Sequence, residues 1–302
     1  MPKSKTRKNH KKKLAARKIA IKNESTRVQK AQKEFIMDLI KQEQEKGLFE
    51  NNQDVNPIVS PVDAIQTDST QIEAVNTFVI GMKANSLWTK LIALYPFVGG
   101  TADKHKWNLK DPQDTNGAFR IVWNGTFTHD SNGVRGGGGS GDYGHPYIYD
   151  STHLSLGNKS LSAYVNLGDN TSISSLMGHY RSTPDRKTLA LYSNYSGVMG
   201  YNDSLAGRVY SPTGTLTGFV QGCTKTTTTY EMYYNGVSSD TITYASRPSV
   251  GYLYLFTTFA STTQATTARS GYMALGESFT SGEASTYYTL VDNMQATLGR
   301  DV

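Results

Sequence analysis

The sequence predicts a mainly β protein: a two-sheet jelly-roll sandwich with flanking helices, preceded by a basic N-terminal arm and an amphipathic helix. Eighteen of the 19 tyrosines lie at or after Tyr143, among many threonines, serines and glycines. Tyrosine and threonine favour pleated, half-buried surfaces. From Ala118 onward, alternating segments follow one another with turn signals between them, such as Asn235-Gly236. No fixed-period repeat occurs, which excludes a propeller or a solenoid.

The alternating segments give the predicted strands, which lie at 118–127, 161–167, 188–194, 216–222, 229–236, 241–246, 251–259 and 272–276. The glycine-rich stretch 133–146 satisfies the pattern G-x-G-x-x-G literally. A phosphate-binding turn needs a helix directly after that pattern, and no helical pattern follows it here. We therefore interpret this stretch as a surface loop.

The C-terminal stretch predicts an amphipathic helix that packs against an apolar surface. Thr280 and Glu283 have the spacing of a capping box, which satisfies free backbone N–H groups at a helix start. Gly299 stands where a left-handed C-terminal cap is expected. One helical face carries the apolar and aromatic side chains, namely Ala284, Tyr287, Tyr288, Val291, Met294 and Leu298.

Two further helices are predicted before the first strand, after a linker at 51–69. Thr70 and Glu73 have the form of a second capping box, and the helix they begin presents Val75, Val79 and Met82. A short helix is predicted after Ser86 and ends at Pro96, because proline cannot continue a helix. Its apolar residues are Trp88, Leu91, Ile92 and Tyr95.

Positive charge is concentrated in the first 50 residues. Their net charge is +9, whereas the remainder of the chain has a net charge of −3. The arm is expected to be disordered in isolation, because like charges repel and little of it can be buried. An amphipathic helix then follows, and its apolar stripe is Val28, Phe35, Ile36 and Leu39.

We predict that residues 1–50 anchor the chain to an acidic protein surface. The attraction would come from the cations of the arm, Lys5, Arg7, Lys8, Lys11, Lys12, Lys13, Arg17 and Lys18. The helix stripe would supply apolar contact or pair with other copies of the chain, so a homo-oligomer is expected. Nucleic-acid binding through counterion release is a second interpretation of the arm, and a solvated tail without a role is a third.

No residue pattern predicts catalysis, a metal or a cofactor. Cys223 is the only cysteine, so no intrachain disulfide can form, and its surroundings predict a buried side chain. The carboxylate triplet of sandwich glycosidases, Glu-x-Asp-x-Glu, does not occur. If the chain cleaved a polysaccharide, Glu231 and Glu277 would be the carboxylates to test by substitution.

Two polar groups near the glycine-rich loop have weaker metal interpretations. His129, His145 and His153 flank the loop and would have to converge to hold zinc. Asp130, Asn132 and Asp142 offer oxygen ligands for calcium, but turn chemistry explains the same residues. The tryptophans are expected to pack the core, and exposed tyrosines are candidates for stacking on sugars.

Two stretches carry a resemblance to a known family. Gly271–Arg300, which contains Leu298-Gly299-Arg300, resembles the C-terminal end of phage virion proteins that carry a concanavalin A-like, laminin-G-like β-sandwich. Asn85–Gly125 resembles the start of the same domain. The two stretches bracket residues 85–302, so we expect residues 70–302 to form this lectin-like domain.

The resemblance implies a virion protein. Because no carboxylate triplet occurs, we expect a non-enzymatic, structural role, and because no signal peptide is visible, we expect synthesis in the host cytoplasm. With the basic arm, the resemblance favours a head fibre or capsid decoration anchored on the major capsid protein or another virion protein. A tail-associated protein that binds a host surface glycan is one alternative, and an internal virion protein whose arm contacts the genome is another. No run approaches the roughly 18 apolar residues of a membrane span, so no membrane partner is expected.

Overall fold

The computed structural model describes residues 69–171, 173–181, 187–204, 207–245, 251–258 and 264–302. The predicted linker lies outside these ranges up to residue 68. Also outside the described residues are the predicted docking residues of the arm and of the helix stripe, Lys5, Arg7, Lys8, Lys11, Lys12, Lys13, Arg17, Lys18, Val28, Phe35, Ile36 and Leu39.

Within the described ranges, the chain forms fifteen β-strands, two long helices and four short helical turns. The long helices are α1 (Ser69–Ala84) and α2 (Ser281–Thr297). The short turns are Trp88–Lys90, Ala102–His105, Asn116–Ala118 and Asp150–His153. The strands are β1 (Leu91–Tyr95), β2 (Val122–Asn124), β3 (Thr128–Asp130), β4 (Gly133–Arg135), β5 (Tyr143–His145), β6 (Lys159–Leu167), β7 (Ile173–Arg181), β8 (Lys187–Tyr195), β9 (Gly200–Asn202), β10 (Arg208–Tyr210), β11 (Gly218–Thr226), β12 (Thr229–Tyr234), β13 (Val237–Thr243), β14 (Tyr254–Leu255) and β15 (Arg269–Gly276).

The strands form two antiparallel sheets, which confirms the predicted sandwich. In sheet A the order is β13-β12-β11-β6-β15-β4-β3, and β1 also pairs with β15. In sheet B the order is β10-β9-β8-β7-β14-β5-β2. Each sheet combines neighbours that are consecutive in the chain, such as β12 and β13 or β7 and β8, with neighbours far apart in sequence, such as β6 and β15 or β7 and β14.

Alternation along the strands separates two apolar layers. On β6, Leu161 and Val165 join the core between the sheets, with Met177 and Leu191 from sheet B. The intervening Tyr164 points to the other face of sheet A. There α1 and α2 cover the sheet with buried side chains, among them Val75, Phe78, Met82, Tyr287, Val291 and Met294. The described residues therefore form three layers: helices, sheet A and sheet B.

Both ends of α2 confirm the predicted caps. The Thr280 hydroxyl accepts a hydrogen bond from the Glu283 backbone N–H, and the Glu283 carboxylate accepts one from the Thr280 N–H at 2.7 Å. Lys90 adds an ion pair to the same carboxylate at 2.8 Å. Gly299 follows the helix with φ +69°, in the left-handed region. The predicted hairpin turn at Asn235-Gly236 is also confirmed, because both residues have positive φ between β12 and β13.

The predicted helix between Ser86 and Pro96 is wrong. Only Trp88–Lys90 forms a single 3-10 turn, and Leu91–Tyr95 is strand β1. This strand pairs antiparallel with β15, so that Tyr95 lies opposite Met273. Pairing with β15 satisfies the backbone of an apolar segment that local pattern alone could not distinguish from a buried helix.

Other strand predictions were partly wrong. The predicted strands 118–127 and 251–259 shrink to β2 and β14 in the described residues, and β13 begins before the predicted 241–246. Strand β7 was not predicted, because Ser174 and Ser175 interrupt its apolar pattern. Ser174 is nevertheless buried and bonds the Ser193 hydroxyl at 2.7 Å, so its polar group is satisfied inside the protein.

The remaining buried-residue predictions hold. Cys223 is buried in β11, and burial raises the pKa of its thiol to about 12. Trp88, Trp107 and Trp123 are partly buried and pack against the two apolar layers.

A buried histidine pair predicts acid sensitivity. The Nδ1 atoms of His105 and His129 are 3.1 Å apart, and His105 Nε2 accepts the Gly100 N–H. Burial, with smaller contributions from His129 and Arg300, lowers the pKa of His105 to about 3. In the unfolded chain a histidine has a pKa of about 6.5. Below that pH, His105 therefore binds a proton in the unfolded state but not in the folded state.

The contribution of His105 to the free energy of unfolding is therefore fully present above the pKa of the unfolded state. It decreases as the pH falls toward the pKa of His105 in the folded state. We expect the His105 contribution to lose about 2–3 kcal/mol between about pH 6.5 and 4.5. Urea denaturation across this range should show a flatter pH dependence for His105→Gln than for the unsubstituted protein. Equal slopes would contradict the assignment to His105.

Candidate functional site

Six aromatic side chains line the outer face of sheet B. Exposure alternates along 143–150, where the even-numbered positions are buried and the odd-numbered ones are partly exposed. The paired segment shows the same alternation, and Tyr252 is 44 % exposed. We call the outward-facing residues the aromatic row: Tyr143, His145, Tyr147, Tyr149, Tyr252 and Tyr254.

Pairing between two distant segments positions the row. Leu255 of β14 lies opposite Gly144 of β5, and Tyr149 and Tyr252 form an isolated antiparallel bridge. Leu253 N donates to Ile148 O at 2.9 Å. Leu255, Leu253 and Ile148 all belong to the core between the sheets. The row is therefore held by two paired segments whose intervening side chains belong to the core.

The rings contact one another along the whole row. His145 is the hub: its ring centroid lies 4.1 Å from that of Tyr147, 5.0 Å from that of Tyr252 and 5.1 Å from that of Tyr254. Tyr143 meets Tyr254 edge-on at 5.3 Å, and Tyr149 meets Tyr252 edge-on at 5.0 Å. Edge-to-face and offset contacts are the favoured geometries of aromatic pairs. The result is a continuous aromatic surface.

The backbone at Tyr147 is strained. Its φ is +60°, in the left-handed region, which costs a non-glycine residue roughly 1–2 kcal/mol. The stack on His145 and the partial burial of the Tyr147 ring offset this cost. Strained residues of this kind concentrate at functional sites. Tyr147 joins the row through its contact with His145, at 4.1 Å between ring centroids.

The hub of the row is neutral at pH 7. Burial lowers the pKa of His145, which disfavours the imidazolium. Burial, together with Tyr143 and Tyr252, raises the pKa of Tyr254, which keeps its hydroxyl protonated. His145 Nε2 is buried and has no hydrogen-bond partner among the described residues. These properties suit a neutral, polar ligand with one apolar face.

The structure does not bring the three candidate histidines together. His145 belongs to the aromatic row, His129 pairs with His105, and His153 Nδ1 accepts the Tyr149 N–H at 2.9 Å. Among the described residues, no group of three or more His, Cys, Asp or Glu side chains could hold a metal ion.

The candidate calcium ligands make turn contacts. Asp130 Oδ1 accepts the Asn132 N–H at 2.7 Å in the β3–β4 hairpin. Asp142 accepts the N–H groups of Thr126 and Gly139, each at 2.8 Å, and so fixes the glycine-rich loop between β4 and β5. This agrees with the interpretation of these residues as turn formers.

The candidate carboxylate Glu231 has hydrogen-bond and ion-pair partners within the protein. Glu231 accepts a hydrogen bond from Tyr233 at 2.6 Å and pairs with Lys225 at 3.2 Å. Burial alone would raise the pKa of Glu231, but hydrogen bonds and the Lys225 charge lower it, so this group is a poor general acid. Glu277 is exposed, and Glu283 caps α2.

Sequence reasoning did not identify the aromatic row, although a signal was present. Aromatic rings recur at every second residue in 143–149 and again at 252 and 254. This is the period of one face of a strand. The first stretch was interpreted partly as loop, and nothing in the sequence shows that segments about a hundred residues apart are neighbours.

Comparisons with known proteins give distant likenesses only. No protein-family model matches the chain, and no curated protein matches it. Among solved structures, the chain is similar to a Trypanosoma rangeli sialidase with 12% identity and a TM-score of 0.48, over 66% of this chain and 32% of that chain. The chain thus spans about a third of the length of that sialidase.

Two smaller domains also match. One is domain 4 of AbnA, an extracellular arabinanase from Geobacillus stearothermophilus, in complex with arabinotriose, with 14% identity, a TM-score of 0.43, and coverage of 66% of this chain and 98% of that chain. The other is the Ruminococcus gnavus sialidase CBM40 bound to sialyllactose, with 14% identity, a TM-score of 0.34, and coverage of 44% of this chain and 84% of that chain.

None of the helices in the described ranges has the length and apolar character to cross a membrane.

Proposed function

We propose that this protein is a non-enzymatic glycan-binding protein whose ligand lies on the aromatic row. The observation that carries the proposal is the continuous, partly exposed series of rings fixed on one sheet face. Sugar rings present apolar C–H faces that stack on aromatic rings, and tyrosine hydroxyls can bond the sugar hydroxyls at the same time. Small-molecule sites combine such aromatic surfaces with a few polar groups.

The length of the row favours an oligosaccharide over a single sugar. The row presents six rings whose neighbouring centroids are 4.1 to 5.3 Å apart, so its surface is several rings long. The neutral hub at His145 favours uncharged sugar faces. Binding should therefore depend only weakly on salt, because few ions are displaced when neutral groups meet.

Removal of the exposed rings should abolish glycan binding. We expect Tyr252→Ala to weaken binding by about 10-fold or more, and Tyr252→Ala with Tyr254→Ala by about 100-fold, because centrally placed aromatic contacts dominate binding energy. A glycan array would identify the ligand, and titration calorimetry would measure the dissociation constants.

Tyr288 provides the matched control. It is a partly exposed tyrosine that packs on the helix-covered face of sheet A, on the other side of the sandwich. Tyr288→Ala should leave the dissociation constant unchanged. Equal loss of binding in Tyr288→Ala and Tyr252→Ala, or an array without a ligand that Tyr252 affects, would contradict the proposal.

We infer in addition that the chain is a virion structural protein, as a head fibre or decoration, anchored on the major capsid protein or another virion protein. The charge asymmetry of the sequence and the resemblance of 85–125 and 271–300 support this proposal. Several copies on one particle would multiply weak glycan contacts. Deletion of residues 1–50 should remove the protein from particles, as measured by immunoblotting of purified virions.

Each alternative predicts a different result. Incorporation at full occupancy without residues 1–50 would contradict arm-mediated anchoring and favour a tail-associated glycan-binding protein. Steeply salt-dependent DNA binding by the arm would favour an internal virion protein.

A further inference from the structure

Four charged or titratable side chains are buried together between the sheets, apart from the aromatic row. They are Asp150, Lys159, His179 and Asp203, and none is more than 3 % exposed. Lys159 Nζ lies 3.2 Å from Asp150 Oδ1, 3.4 Å from Asp150 Oδ2 and 3.1 Å from Asp203 Oδ1. One amine is thus held in contact with two carboxyl groups away from water.

Each carboxyl group has a different environment. Asp203 Oδ2 accepts a hydrogen bond from the Thr224 hydroxyl at 2.8 Å. Since the Thr224 proton is used there, the Tyr201 hydroxyl, 2.7 Å away, donates to Thr224. Asp150 instead turns both oxygens toward Lys159, and its Oδ2 is 3.4 Å from His179 Nε2.

Burial changes which protonation states are favoured. Burial in a low-polarity site disfavours the charged form of a carboxyl group. Burial raises the pKa of Asp203, although the Lys159 charge opposes this. A neutral carboxylic acid is an electrophile and a free amine is a nucleophile. The 3.1 Å contact joins Lys159 Nζ to Asp203 Oδ1, and the carbon that would be attacked, Cγ, is one bond beyond that oxygen.

We propose that Lys159 and Asp203 condense into an intramolecular isopeptide bond, with Asp150 relaying the proton. Lys159 Nζ attacks Cγ of protonated Asp203, and Oδ2 becomes an oxyanion stabilised by the Thr224 hydroxyl. Asp150 takes a proton from Nζ and passes it to the Oδ1 hydroxyl, which leaves as water. One C–N bond forms, one C–O bond breaks, one water is released, and no oxidant or reductant is needed.

The contacts favour Asp203 over Asp150 as the acylating group. Only Asp203 has a hydroxyl donor on the oxygen that would become the oxyanion, while the other oxygen faces the amine. Asp150 has both oxygens near the amine, at 3.2 and 3.4 Å, which places it to accept a proton from Nζ. The product would join β6 of sheet A covalently to the segment that follows β9 of sheet B.

Intact-mass spectrometry of the full chain tests the proposal. The protein should be lighter than its sequence mass by one water, and tandem mass spectrometry of a digest should find a branched peptide that joins Lys159 to Asp203. Lys159→Arg and Asp150→Asn should each restore the full mass. Asp203→Asn, if it reacts, should lose one ammonia instead of one water.

Lys225→Met is the matched control, because Lys225 also contacts a carboxylate, Glu231 at 3.2 Å, but is less buried and meets a single acid. The Lys225→Met protein should still be lighter than its sequence mass by one water. The unsubstituted protein at its full sequence mass, or a deficit that maps to Asp150 or to a dehydrated aspartate, would overturn the assignment. Because the mass of the unsubstituted protein decides the matter, the result does not depend on whether the variants fold.

Discussion

Replacement of Arg300 by methionine is expected to destabilise the domain by about 3–5 kcal/mol. The side chain is only 4 % exposed and lies next to the C-terminal end of α2. Its guanidinium donates to Phe97 O at 3.0 Å, to Pro96 O at 2.9 Å and to Ser131 O at 3.5 Å. Burial lowers the pKa of Arg300 to about 9, so it is still charged at pH 7. Methionine would leave buried carbonyl groups without a donor.

Urea denaturation at pH 7 would measure the loss. Asp114→Asn serves as the control, because Asp114 is 54 % exposed and pairs with Lys106 and Arg120 at the surface. Exposed pairs contribute at most about 1 kcal/mol. If Arg300→Met cost no more than Asp114→Asn, the buried guanidinium would not hold the C-terminal segment to residues 96–97.

Replacement of Tyr287 by alanine should also cost about 3–5 kcal/mol, because it removes a large, fully buried side chain and leaves a cavity. Its ring stacks on Phe279 at 4.9 Å and meets Phe219 edge-on at 5.2 Å. Its hydroxyl bonds the Tyr272 hydroxyl at 2.6 Å and the Ser162 hydroxyl at 3.0 Å. Tyr287 thus joins α2 to the middle of sheet A through both packing and hydrogen bonds.

The phenylalanine variant separates these two contributions. Tyr287→Phe keeps the ring and removes only the hydroxyl, so we expect a loss of about 1–3 kcal/mol from unsatisfied buried partners. Thermal and urea unfolding of both variants would give the comparison. Equal losses for alanine and phenylalanine would mean that the ring contributes nothing, contrary to the packing described.

Local signals in the sequence predicted local structure well. Thr280 and Glu283 lie three residues apart and their capping box depends on no distant partner, so the sequence alone predicted it. The Asn235-Gly236 turn was predicted for the same reason. The alternation of β6 and β11 predicted strands, because one face of each is buried against the other sheet. The general fold class followed from such segments taken together.

Pairing over long distances could not be predicted in the same way. Strand β1 was assigned to a helix because its partner, β15, lies about 180 residues further along. Lys159 has no unusual sequence context, and its two carboxyl neighbours come from separate segments. The aromatic row likewise needs two distant stretches side by side. Sites formed in this way become visible only when the topology is known.

The three-layer arrangement gives the domain a defined orientation for immobilisation. Val302 N donates to the Tyr164 hydroxyl at 3.0 Å, and Tyr164 lies on the helix-covered face of sheet A. The aromatic row lies on the outer face of sheet B, and packed sheets are about 10 Å apart. A biotin or fluorophore coupled at residue 302 would therefore lie on the side opposite Tyr252. A biosensor surface prepared through that residue should present the rings to the analyte.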